Sequence, residues 1–248
     1  MVRAVDALAF LGPSLFGRGQ DGPELERLMS ALDVDVCVAI AARPPDYDLT
    51  PANEAVAALA SSSEGRIIGL VRVDPNRSDA AVNVQRGLDE LALRGLFLHP
   101  GEEHFRITDR RVIAAVEPCA QGGRPVVVAS AYPWLSEALQ VADLARRFPD
   151  TTFVMTNGGQ FNISGMGQQD VSLALEMYPN LVIQTTGVYR QDFLERVASG
   201  LGPDRIMFGG GSPVFDASYE ILRARLANLD AGGREAILGG TASRVFGL

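Results

Sequence analysis

The sequence predicts one closed barrel of eight parallel strands, each followed by a helix, and three observations carry that expectation. Eight short apolar runs rich in Val and Ile recur along the chain, as strands covered on both faces require. Amphipathic, helix-patterned stretches lie between them. Eight such units in 248 residues match the dimensions of a single (β/α)8 domain. An open, doubly wound sheet is the alternative, but it usually needs fewer strands and often shows a glycine-rich turn after its first strand.

The runs are Val5 to Phe10, Val34 to Ala41, Ile67 to Val73, Gly95 to Leu98, Pro125 to Ala129, Thr152 to Thr156, Leu181 to Thr185 and Ile206 to Phe208. Between them, Val84, Leu88 and Leu91 recur at helical spacing, as do Leu135, Leu139 and Ala142. Ser78, Asp109 and Asp216 read as helix caps and Pro51 as a first-turn residue. The segment Phe148-Pro149-Asp150 ends a helix before the sixth strand. No linker, charge block or composition change divides the chain, so residues 1–248 are read as one domain.

Composition excludes several classes. A net charge of −8 without a Lys/Arg cluster argues against binding to nucleic acid or to an anionic membrane surface. No stretch reaches the length of a membrane span. Cys37 sits within an apolar run, and two cysteines build neither a disulfide framework nor a zinc finger. The first 19 residues read as strand and loop rather than a leader, because Asp6 and Gly12-Pro13 interrupt them. A cytoplasmic protein is expected.

Several motifs together carry a family likeness. They are Asp6-Ala7-x-Ala9-x with Leu11-Gly12-Pro13-Ser14, Gly95 to Pro100, Arg124 to Val128, Phe148 through Asn157-Gly158-Gly159, Asn180 to Thr185, Gly202 to Gly209, and the tail Gly240 to Leu248. The chain resembles, over nearly its whole length, the amidohydrolase-related family of metal-dependent hydrolases, in its branch of carboxymuconate-semialdehyde-type decarboxylases and lactone hydrolases. The eighth-strand and closing motifs are the most specific parts of the likeness.

The resemblance implies four histidines and an aspartate at strand ends. Here those places hold Leu8, Phe10, Ala129, Asn157 and Gly211. A zinc site needs three or four N, S or O donors at roughly 2.0–2.3 Å, and only Asn157 of these five carries a side-chain donor atom, a weak neutral amide. No metal and no cofactor are therefore expected. Burying Leu8 and Phe10 contributes about 1.5–3 kcal/mol each, which predicts a plugged core at the mouth of the first strand.

The remaining candidates sit at strand ends. His99 is a candidate acid or base, or the residue that holds the Pro100-Gly101 turn. Ser130 with His99 is a candidate nucleophile pair, although no G-x-S-x-G elbow accompanies it. Asn157, Gly158, Gly159, Gly210, Gly211 and Ser212 lie in glycine-rich turns whose amides can hold a carboxylate or phosphate, or simply serve tight packing. Tyr132, Gln184, Thr185, Thr186 and Asp216 are further ligand candidates at the mouth, with Asp216 also fitting a helix cap. Arg72 and Asp74, on the third strand, could form a buried ion pair or face the pocket, and the structural reading is favoured. In His99-Pro100-Gly101-Glu102-Glu103-His104, Pro100 and Gly101 argue against helical spacing and for a solvated loop rather than a metal motif.

Three functions stay open. The first is a catalytically silent or weakened barrel that pairs with itself or with an intact relative. The second is a metal-independent hydrolase or lyase acting on a small carboxylate or cyclic substrate through His99, with Asn157, Ser130 and glycine-turn amides binding oxyanions. The third is a small-molecule binding module without turnover. The first is favoured because every inherited ligand position has changed while no replacement set stands out.

Overall fold

The computed structural model describes residues 4–160, 165–188 and 190–248. Met1 to Arg3, the start of the segment read as strand and loop, lie outside the described residues. Eight strands form one parallel sheet in the order of the chain. They are β1 (Val5–Leu11), β2 (Val36–Ala41), β3 (Ile67–Arg72), β4 (Leu96–Leu98), β5 (Val126–Val128), β6 (Phe153–Met155), β7 (Leu181–Gln184) and β8 (Ile206–Met207). The sheet closes through the chain after β8. Ala7 N donates to Phe208 O at 3.0 Å, Phe10 N to Ser212 O at 2.7 Å, and Gly211 N to Leu8 O at 2.7 Å. The (β/α)8 expectation is met.

The helices lie outside. The first five are α1 (Gly22–Ala31), α2 (Leu49–Ser62), α3 (Ala80–Asp89), α4 (Pro100–Glu103) and α5 (Arg110–Gln121). Then come α6 (Ala138–Arg147), α7 (Gly165–Met177), α8 (Gln191–Leu201), α9 (Ala217–Arg225), α10 (Ala231–Glu235) and α11 (Thr241–Phe246). Side chains alternate along each strand, which makes two cores. Val38, Ile40, Ile68, Leu70, Phe97, Val127, Val154, Val182 and Met207 fill the barrel. Ala39, Ala41, Ile67, Val71, Leu96 and Leu98 face outward against helices. This double burial explains why the strands read as continuous apolar runs rather than alternating ones.

Local chemistry agrees in most places. Asp109 and Asp216 cap α5 and α9 by accepting from Arg111 N and Ser218 N. Pro51 lies in the first turn of α2, whose cap is Asp48. Three expectations change. The residue before α3 is Asp79, not Ser78, and it makes no side-chain cap. The inner face of α6 is Ala138, Val141, Ala142, Leu144 and Ala145; Leu139 is exposed and Leu135 precedes the helix, because the turn through Ser136 starts α6 later than the apolar spacing suggests. The segment after His99 is not a solvated loop. Pro100 takes a first-turn position where its missing N–H costs nothing, and His99 Nδ1 accepts from Glu102 N at 3.0 Å, so a single helical turn forms and Glu103 is buried.

Candidate functional site

A cavity of about 370 Å³ opens at the C-terminal ends of the strands. Small side chains make the room: Ala42 after β2, Ala129 after β5 and Thr156 after β6 all line it. Leu8 and Phe10 reach this space because β1 carries a register shift between Asp6 and Ala9, which puts Leu8 on the inner face. The plugged core expected here does not form. Leu8 and Phe10 line an open cavity together with the small side chains of Ala42, Ala129 and Thr156.

One wall is aromatic. The ring centroids of Phe10 and Phe97 are 5.7 Å apart, those of Phe97 and His99 5.9 Å, and those of His99 and Tyr132 5.2 Å. Beside it stands a charged cluster. Arg72 ends β3 on the inner face and is fully buried, 5.6 Å over the Phe97 ring. It pairs with Glu102 and with Glu103, the latter at 2.6 Å. Arg43 shares Glu103 at 2.6 Å and stacks 4.9 Å over Tyr47. Arg72 therefore faces the pocket and forms an ion pair, but not with Asp74, which accepts from Asn76 instead. Burial pushes the Glu103 carboxyl above its usual range, against the opposing pull of both arginines.

His99 has one settled role. Burial holds it well below the ordinary imidazole pKa, and the charges of Arg72 and Arg43 add to that, so the ring is neutral. Its Nδ1 lone pair accepts the Glu102 N–H, which places the ring proton on Nε2 by the hydrogen-bond network. Nε2 lies 3.4 Å from Tyr132 Oη and 3.5 Å from Glu102 Oε1. The ring thus presents a donor to the cavity, not a free base. Burial pushes the Tyr132 phenol up to about 12, with the Glu102 charge adding to it, so Tyr132 keeps its proton.

The other candidates divide. Asn157 and Thr186 line the cavity with His99 and Tyr132. Thr186 donates to Gly209 O at 2.8 Å, and Asn157 Oδ1 accepts from Thr156 at 2.7 Å. Ser130 is buried outside the cavity lining and donates to Thr156 O at 2.6 Å; no Ser130–His99 hydrogen bond forms among the described residues. Gln184 is buried beneath the mouth and donates to Ala7 O at 2.7 Å. Thr185 is buried and accepts from Gly209 N. Ser212 and Asp216 border a shallow groove outside the barrel mouth, where Ser212 accepts from Gln20 Nε2 and Asp216 caps α9.

At the β1–β8 seam the glycine amides are engaged within the protein. Gly210 N donates to Asp6 Oδ1 at 2.6 Å and Gly211 N to Leu8 O, so those amides already have acceptors. Gly158 has φ of +59°, and a Cβ there would lie 2.5 Å from Val188 Cγ2. At Gly210 a Cβ would lie 2.3 Å from Asp6 Oδ2 and 2.9 Å from Ala217 Cβ. Gly210→Ala is therefore expected to destabilise the protein by about 1–3 kcal/mol, read as a lowered midpoint in urea with an unchanged slope. An unchanged midpoint would show that the β1–β8 seam tolerates a methyl group.

Sequence reasoning missed Arg43, Glu102 and Glu103 as members of the site. Arg43 stands just after the apolar run of β2, and a charge directly after a barrel strand is a signal for the functional face. Among the described residues, no group of three or more His, Cys, Asp or Glu side chains could hold a metal ion. No described helix is long and apolar enough to cross a membrane.

A closed parallel barrel with a cavity at its C-terminal mouth defines a class of small-molecule site proteins. The sequence profile of the amidohydrolase family matches residues 36–248. The chain belongs to the amidohydrolase family. Solved structures agree on the fold. A 5-carboxyvanillate decarboxylase from Sphingomonas paucimobilis superposes with a TM-score of 0.80 at 17% identity over 100% of both chains. A 2,6-dihydroxybenzoate decarboxylase from Rhizobium gives 0.76 at 15% identity, over 100% of this chain and 99% of that one. A dihydroxybenzoic acid decarboxylase from Polaromonas, with bound manganese and 2-nitroresorcinol, gives 0.75 at 14% identity, over 100% of this chain and 98% of that one. No curated protein sequence matches.

Proposed function

We propose that this barrel binds a small hydroxylated aromatic carboxylate in its mouth without a transition metal, and that it no longer performs the decarboxylation its structural neighbours are named for. The open cavity carries this reading. Its volume lies in the range of small-ligand sites, its aromatic wall fits one flat ring, and its polar side offers donors from His99 Nε2, Tyr132 and the arginines. The donor set does not fit a divalent ion. Leu8, Phe10 and Ala129 line the places where the family's ligands are expected, and they have no lone pairs to give.

Titration calorimetry with 2,6-dihydroxybenzoate tests it. Binding is expected to be the same in EDTA-treated protein and in protein supplied with manganese, with no carbon dioxide released. Manganese-dependent release of carbon dioxide would overturn the proposal.

A second reading is a metal-independent lyase in which the neutral His99 donates its Nε2 proton. The placement of His99 Nε2 beside the Tyr132 hydroxyl on the cavity wall favours it. It requires turnover in EDTA that His99→Ala abolishes. Pairing with itself or with an intact relative belongs to the first reading, and the exposed apolar residues Tyr219 and Leu222 on α9 and Leu226 just after it support it. Two free buried thiols, Cys37 and Cys119, fit the cytoplasmic setting proposed with it.

A further inference from the structure

We infer that Glu102 acts as a built-in surrogate for the ligand's carboxylate, so that binding proceeds by displacing it from Arg72. This deepens the aromatic-carboxylate reading and rests on it. Glu102 and Glu103 are neighbours on one helical turn, but they do different work. Glu103 is wholly buried and shared by Arg43 and Arg72, so it holds the two guanidinium groups in place. Glu102 keeps a 24% exposed side chain, lines the cavity and reaches into it. One of its oxygens pairs with Arg72 Nη2, and the other lies 3.5 Å from His99 Nε2. A guanidinium and a neutral imidazole N–H are the groups an organic carboxylate would use at this wall.

The electrostatics require a swap rather than an addition. Within the cluster, the two arginines are balanced by two glutamates, and His99 is neutral. A ligand carboxylate placed against Arg72 with Glu102 still there would set two anions side by side, each raising the cost of ionising the other. Exchanging one carboxylate for another keeps the balance. Glu102 can leave because its side chain already meets solvent, whereas Glu103 cannot, since its side chain is fully enclosed. Glu102 also leaves its backbone behind: its N–H still caps His99 Nδ1, so the imidazole keeps its Nε2 proton aimed at the ligand.

The consequence is that this residue competes with its own ligand and sets a threshold against weak or neutral ones. The experiment is titration calorimetry on the wild type, Glu102→Gln and Glu102→Ala, each with 2,6-dihydroxybenzoate and with its uncharged amide, 2,6-dihydroxybenzamide. Melting curves check that all three proteins fold. The carboxylate is expected to bind about tenfold more tightly to Glu102→Ala and somewhat less so to Glu102→Gln, while the amide changes by less than about twofold. Equal tightening of carboxylate and amide would show that Glu102 only obstructs the cavity, and the inference fails. Unchanged or weaker carboxylate binding in both variants, beside measurable wild-type binding, sinks the inference and leaves the aromatic-carboxylate reading standing. Absence of binding in all three proteins removes both.

Discussion

Arg72→Met is expected to lower the melting temperature by roughly 10 °C. Arg72 is fully buried at the end of β3, and its guanidinium meets Glu102, Glu103 and the Ala41 carbonyl. Methionine fills the space but leaves Glu103, which is wholly enclosed, with Arg43 as its cationic partner among the described residues. Removing one member of a buried ion cluster costs about 3–5 kcal/mol, because the remaining charge keeps its desolvation cost and loses its compensation. In a domain of this size each kcal/mol moves the midpoint by about 2–4 °C. Adding Glu103→Gln to Arg72→Met should not recover the loss, since the buried Arg43 then loses its own carboxylate partner. Differential scanning calorimetry of the single and double variants measures both effects. A single variant that melts with the wild type would mean the cluster is solvated and contributes little.

The second large effect is the pH dependence that Asp6 imposes. Asp6 lies at the seam between β1 and β8, where its Oδ1 accepts from Leu8 N at 3.0 Å and Gly210 N at 2.6 Å. Burial raises its pKa to about 7, and the two amide hydrogen bonds only partly oppose that rise. The folded state therefore holds a proton that the unfolded chain releases near the ordinary carboxyl value. That favours the folded state below about pH 4, and the advantage is lost as pH rises toward 7. Across that window the contribution falls by roughly 4 kcal/mol. Asp6→Asn retains a carbonyl oxygen for both amides and does not titrate. The difference in unfolding free energy between wild type and Asp6→Asn should therefore shift against the wild type from pH 4 to pH 8, measured by urea denaturation at each pH. A difference that stays level across the range would place the Asp6 pKa near its usual value. Exposed carboxylates such as Asp109, held down to about 2 by Arg111, titrate in both proteins and cancel in the comparison.

Much of the architecture was legible because its physics is local and repetitive. A parallel sheet buried on both faces demands apolar runs, and eight of them separated by helical patterns admit few arrangements. Caps such as Asp109 and Asp216 are read from the same few residues that form them. The start of α6 was harder to place, because Leu135 and Leu139 continue an apolar spacing that the turn before the helix interrupts. The candidate site was legible in part. His99, Tyr132, Asn157 and Thr186 do meet in one cavity. Ser130 and Gln184 do not join them, since hydrogen bonds to Thr156 and Ala7 hold them elsewhere. Both are ordinary polar residues near strand ends, and nothing in their immediate neighbours marks which carbonyl will capture them.

By itself the sequence determined the barrel and the identity of its strand-end residues, among them Leu8, Phe10 and Ala129, whose side chains donate no electron pairs. Tertiary structure decided whether that ground is filled or open. The answer depends on Ala42, Ala129 and Thr156 arriving from three different strands to leave room above Leu8 and Phe10. It also decided that Arg43 and Arg72 share a glutamate lying 60 and 31 positions further along the chain. Contacts at such separations are set by the lateral pairing of β2, β3 and β4, which brings their ends side by side across the intervening helices, and no local pattern encodes them.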